Sequence, residues 1–128
     1  MSRKYYWLRL KDNFFTQPKI KKLRRIAGGD TYTTIYLKLM LLTINNEGVY
    51  EYEGIFPTLE EELSLTLDED ATNVSVTINY MMSHGLLTQI SKNEYKIVEV
   101  IGLIGSETAT AQRMRKMRAN KAKQITKV

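Results

Sequence analysis

Two kinds of side chain in this sequence have the type and spacing to do chemistry. Lys21, Lys22, Arg24 and Arg25 stand within five residues with no acid among them, and Arg113, Arg115, Lys116, Arg118, Lys121 and Lys123 crowd the C-terminal stretch. Lys92 and Lys96 lie between these groups. Clustered cations of this kind grip a dense line of phosphates. Thr72, Asn73 and Asn79 offer hydroxyl and amide groups that suit base edges, since an Asn can bond adenine through two hydrogen bonds.

Catalysis has little to work with. His84 is the only histidine, cysteine is absent, and no nucleophile motif or His/carboxylate metal spacing occurs. Glu60-Glu61-Glu62 has metal-binding donors, but acids in the first turn of a helix are accounted for by its dipole. Gly28-Gly29 is followed by no dinucleotide-type glycine spacing and no Gly-Lys-Ser/Thr, so a helix cap is the expected role. The sequence therefore predicts no enzyme, no cofactor and no metal.

The chain has 128 residues, enough for one domain with a single core. The charge is segregated along it. Residues 1–38 carry ten Lys/Arg against Asp12 and Asp30, a balance of +8. Residues 39–91 carry nine acids and no Lys or Arg, a balance of −9, and residues 92–128 carry nine Lys/Arg against three acids, a balance of +6. The opening Met1–Trp7 lacks the apolar run of a signal peptide, and the richest apolar stretch, Ile35 to Ile44, is too short to span a bilayer. A cytoplasmic protein without membrane contact is expected.

The positioning elements follow from periodicity. Tyr5 to Leu10 reads as an extended arm or edge strand, with Trp7 docking either on the core or on a second subunit. A first helix is predicted from Thr16-Gln17-Pro18 to Gly28, burying Ile20, Leu23, Ile26 and Ala27 and turning its cations outward. Asp30 is predicted to cap a central core helix to about Asn45, and Val49–Tyr52 to form a short strand. A helix from Pro57, a turn at Thr66-Leu67-Asp68-Glu69 with capping-box form, and a helix over 70–84 follow.

On that last helix Ala71, Val74, Ile78, Met81 and Met82 share one face, and Thr72, Asn73, Val76, Asn79, Tyr80 and Ser83 the other. Leu86–Ile90 and Glu94–Val98 read as a hairpin with Lys92 at its tip. The expected fold is mainly α with a small β-hairpin: a winged helix-turn-helix over 1–105, with a basic C-terminal helix or tail over 106–128 that starts at about Glu107.

With these segments placed, the chain resembles the N-terminal domain of phage replisome organisers, and more distantly that of DnaD-type primosome proteins. The resemblance is carried by Lys4-Tyr5-Tyr6-Trp7-Leu8-Arg9-Leu10-Lys11, Ile26-Ala27-Gly28-Gly29-Asp30-Thr31-Tyr32, Ile35-Tyr36-Leu37-Lys38, Glu61-Glu62-Leu63, Leu67-Asp68-Glu69-Asp70, His84-Gly85-Leu86-Leu87 and Ile104-Gly105-Ser106-Glu107-Thr108-Ala109. It implies a role in starting phage DNA replication in the bacterial host: binding origin DNA and helping to bring in the helicase or its loader. Members are commonly longer, so residues 106–128 are also read as a linker to a further region.

Asp68, Glu69 and Asp70 at the start of the helix over 70–84 would repel phosphates. The phosphate contacts are therefore expected from the first helix, Lys92, Lys96 and above all the C-terminal cations, with Thr72, Asn73 and Asn79 as candidates for base edges. The rival readings are a winged-helix transcriptional regulator and a protein-interaction or oligomerisation module. In the latter, acidic and basic thirds of neighbouring subunits meet, and Trp7, Val76 and Tyr80 supply apolar contact.

Overall fold

The computed structural model describes residues 4–108 and 117–118. A 3-10 turn over Phe14–Thr16 leads into helix α1 (Pro18–Arg25), whose first position holds the proline. Thr16 does not cap α1 as expected, because its hydroxyl donates to the Asn13 carbonyl. The helix is also shorter than its periodicity suggests. Ile26 turns to an extended conformation (φ −69°, ψ 144°), leaving Ile20 and Leu23 buried but Ile26 and Ala27 exposed.

Gly28, at φ 85°, reverses the chain into α2 (Gly29–Leu42). Asp30 thus lies inside the first turn of α2 rather than at its cap. Helix α2 packs against α1, α4 and α3 and buries Thr33, Ile35, Tyr36, Leu39 and Met40, which confirms it as the central helix. It ends at Leu42, and Ile44–Asn46 tightens into a 3-10 turn before strand β2 (Val49–Glu51).

Helix α3 (Leu59–Leu67) is capped by Thr58, whose hydroxyl accepts from the Glu61 amide at 3.2 Å. The capping arrangement therefore falls at Thr58 and Glu61, not at Thr66 and Glu69. Thr66 lies within α3, and Asp68 closes that helix in the left-handed region at φ 56°. Asp70 begins α4 (Ala71–Ser83), its carboxylate accepting from the amides of Thr72 at 2.9 Å and Asn73 at 3.3 Å. Such a cap contributes about 1 kcal/mol.

Strands β3 (Leu87–Gln89) and β4 (Glu94–Ile97) form the expected hairpin, and β2 adds to its other side, giving the order β2-β4-β3, all antiparallel. The opening arm is strand β1 (Lys4–Leu8), paired with β5 (Ile104–Thr108) in one chain. Trp7 is half-buried, and its indole covers Gly105 of the paired strand, where a Cβ would fall 2.1 Å from Nε1, rather than joining the core cluster. Glu107 and Thr108 lie on a strand, so no helix starts there. Met117 and Arg118 are helical, and the remainder of the expected C-terminal helix lies outside the described residues. The domain is mainly helical with small antiparallel sheets.

A buried carboxylate ties the three-stranded sheet to α3. Glu62 is 5% exposed, and its Oε2 accepts from the Tyr50 hydroxyl and from the Glu53 amide at 3.2 Å, while Oε1 has no hydrogen-bond partner among the described residues. Burial, then the Glu62 carboxylate, raises the Tyr50 phenol above its ordinary pKa. Tyr50→Phe leaves Glu62 buried with one fewer donor and is expected to cost about 1–3 kcal/mol, read as a lower urea midpoint at unchanged slope.

Candidate nucleic-acid interface

Between Ala71 and Ser83, α4 carries no charged side chain. Val74, Thr77, Ile78, Tyr80 and Met81 are buried, which turns Thr72, Asn79 and Ser83 to solvent with Asn73, Ser75 and Val76 half-buried beside them. The helical-wheel assignment needs two corrections. Ala71 and Met82, expected inside, are exposed. Tyr80, expected on an open apolar face, is 7% exposed.

Tyr80 is covered because α1 lies there. Its hydroxyl donates to the Lys19 carbonyl, and its ring stacks on His84 with centroids 4.0 Å apart. His84 also brings Nδ1 to 2.9 Å from the Tyr80 carbonyl. Tyr80 is thus a packing residue between α1 and α4, and Val76 is left as the only member of that pair with solvent contact.

The same contact brings the first turn of α1, at Lys19, to α4. Lys19, Lys21, Lys22, Arg24 and Arg25 are all exposed. Arg24 is the most constrained, with Nε bonded to Asp30 at 3.0 Å and its guanidinium 5.3 Å from the centre of the Phe15 ring. Lys19 was not singled out by sequence, although it belongs to the same run. Its contribution to the α1–α4 contact comes from a backbone carbonyl, which no side-chain pattern reveals.

On the other flank, Lys92 and Asn93 line one depression with Met82 and Ile78 of α4. Lys92 is exposed at the hairpin tip. Lys96 is half-buried in the middle of the sheet, between Val49 and Thr88. Arg118 is exposed, whereas Arg113, Arg115, Lys116, Lys121 and Lys123 lie outside the described residues.

The three acids before α4 are not equivalent. Asp70 is engaged as the cap. Glu69 has a side chain 17% exposed and 3.6 Å from Lys38 Nζ, which also donates to the Leu67 carbonyl at 3.0 Å. Asp68 remains exposed. The repulsion expected from three carboxylates is therefore partly offset by backbone amides and by a lysine on α2. Among the described residues, no cluster of His, Asp and Glu is placed to hold a metal ion, and no helix is long and apolar enough to cross a membrane.

These features define a small helical domain in which α4 has an uncharged polar face, α1 touches α4 through Tyr80, and the hairpin-tip Lys92 shares a depression with Met82. Residues 7–125 match the family model described as N-terminal phage replisome organiser, and the chain belongs to that family. The resemblance seen in its ordered motifs is thereby shown. No curated protein and no solved structure matches the chain.

Proposed function

We propose that this chain is the DNA-binding domain, of winged helix-turn-helix type, of a phage replication-initiation protein. In this reading α2, β2, α3, α4 and the β3–β4 hairpin are the winged helix, α4 is its reading helix and the hairpin is its wing. The observation that supports the proposal is the uncharged outer face of α4, with the cation-bearing α1 touching α4 at Tyr80 and Lys92 sharing a depression with Met82.

Lys21, Lys22, Arg25, Lys92 and the C-terminal cations grip phosphates, with Lys96 and Arg24 in lesser roles because one is half-buried and the other ion-paired. Thr72 and Asn79 reach base edges, with Asn73 beside them. The chain works in the cytoplasm of the bacterial host without a catalytic step of its own, and it helps bring a helicase or helicase loader to the origin.

The test is salt-titrated binding to phage-origin duplex and to random duplex, with Arg113, Arg115, Lys116 and Arg118 intact or exchanged for Gln. The variant is expected to lose affinity and to show a log–log salt slope shallower by about 0.9 for each phosphate that it no longer neutralises. Equal slopes would remove the C-terminal cations from the interface, and equal affinity for the two duplexes would remove the base-reading role of α4.

A further inference from the structure

At the capped end of α4, opposite Ser83, the α3–α4 turn bounds an open groove of about 590 Å³ lined by Phe56 and Leu65 together with Glu61, Ser64, Asp68, Glu69 and Asp70. Leu65 is 69% exposed, and Ile55, next to Phe56 in the chain, is 73% exposed. Among the described residues these are the two most exposed large hydrophobic side chains, and the third is Met117 at 61%. Glu69 and Asp70 are engaged by Lys38 and by backbone amides, whereas Glu61 and Asp68 make no ion pair among the described residues.

The C-terminal sequence mirrors this groove. Met114 and Met117 stand three residues apart, the spacing of one helix face, among Arg113, Arg115, Lys116 and Arg118, and the helix is present at residues 117–118. An apolar strip edged with cations complements an apolar floor edged with carboxylates. The chain reaches this segment from the β1–β5 ribbon. Leu8 and Ile104 pack against the core at one end of the β1–β5 ribbon, Tyr5 and Tyr6 farther out are exposed, and the chain leaves the ribbon at its outer end, Thr108. Five residue steps separate that end from Arg113, a reach of roughly 18 Å when fully extended.

We infer that residues 113–118 of one copy dock into the Phe56–Leu65 groove of a second copy, Met117 on Leu65 and the flanking cations on Glu61 and Asp68, joining chains head to tail. Such a heterologous contact does not close on itself and builds a row of subunits. The contact draws on the same C-terminal cations as the DNA-binding proposal, so it is measured without nucleic acid; the groove residues Glu61, Leu65 and Asp68 have no part in that proposal.

The experiment is sedimentation of the full chain, freed of nucleic acid, over a range of concentrations. Wild type is expected to associate at an ionic strength of about 0.05 M and to return to monomer at about 0.5 M. A groove variant (Glu61→Lys with Asp68→Asn), a floor variant (Leu65→Ser) and a tail variant (Arg113→Glu, Lys116→Glu, Arg118→Glu) are each expected to stay monomeric at low salt. Mixing the groove and tail variants is expected to restore association, because the reversed charges of one meet those of the other. A wild type that is monomeric throughout, self-association undiminished in all three variants, or a mixture that stays monomeric would overturn the inference. Folding of each variant is checked by its unfolding midpoint, and DNA affinity of the groove variant serves as the separate readout of the α4 face.

Discussion

Exchange of Lys21, Lys22 and Arg25 for Gln is expected to make the log–log salt slope of duplex binding shallower by up to about 2.7, at about 0.9 per phosphate left unneutralised. Affinity at moderate salt falls with it, equally for origin and random DNA, because phosphate contacts position a protein without reading sequence. The fold should be unharmed. All three side chains are exposed, the buried contacts of α1 are made by Ile20 and Leu23, and removing like charges from one helix relieves repulsion. Arg24→Gln is the internal control. Its guanidinium is already committed to Asp30 at 3.0 Å and to the Phe15 ring, so its loss should change the slope by less than any of the other three. A slope indifferent to the triple exchange would place the DNA elsewhere than beside α1.

Much of this surface was legible in the sequence, for physical reasons that also explain what was not. The cations of α1 show because a cationic run needs no tertiary partner to be visible. Val74, Ile78 and Met81 show because helical periodicity reports the side that a core must cover. Periodicity does not report a second neighbour. Tyr80 falls on the polar side of the wheel, yet α1 covers it, and its hydroxyl is satisfied by the Lys19 carbonyl, a contact between residues 61 apart in sequence.

Strand β5 escaped for a related reason. Ile104–Thr108 contains Gly, Ser and Glu and has no strand signature of its own, and it is held by pairing with Lys4–Leu8 at the other end of the chain. The capping-box form of Thr66-Leu67-Asp68-Glu69 does not by itself locate the cap of α4. Backbone conformation decides it: Asp68 sits in the left-handed region, so the chain can enter a new helix only after it, at Asp70.

That choice has a functional consequence. Had Glu69 and Asp70 projected freely, the N-terminal end of α4 would have opposed phosphates with three carboxylates. With Asp70 turned onto the first amides and Glu69 drawn toward Lys38, the unfavourable field at that end is left chiefly to Asp68, which lies on the groove side.

Everything proposed for α1 depends on its fixed placement, and Gly29 is the residue that fixes it. A Cβ built at Gly29 would lie 2.4 Å from the carbonyl oxygen of Arg24 and 2.5 Å from its carbonyl carbon and Cα, all backbone atoms that no rotamer change can move. Gly29→Ala must push the last turn of α1 off the first turn of α2, and is expected to cost about 3 kcal/mol, the upper end of the usual range for overpacking. Gly85→Ala is the comparison. Gly85 has φ 72° but nothing within 4 Å of its added Cβ, so only the conformational penalty of about 1 kcal/mol remains.

Unfolding midpoints of the two variants measure the difference. Equal losses would mean that α1 shifts against α2 without cost. The Gly29→Ala protein, assayed where it is still folded, should also show a shallower DNA salt slope although every cation is retained. A displaced α1 no longer holds Lys21, Lys22 and Arg25 in line with the outer face of α4.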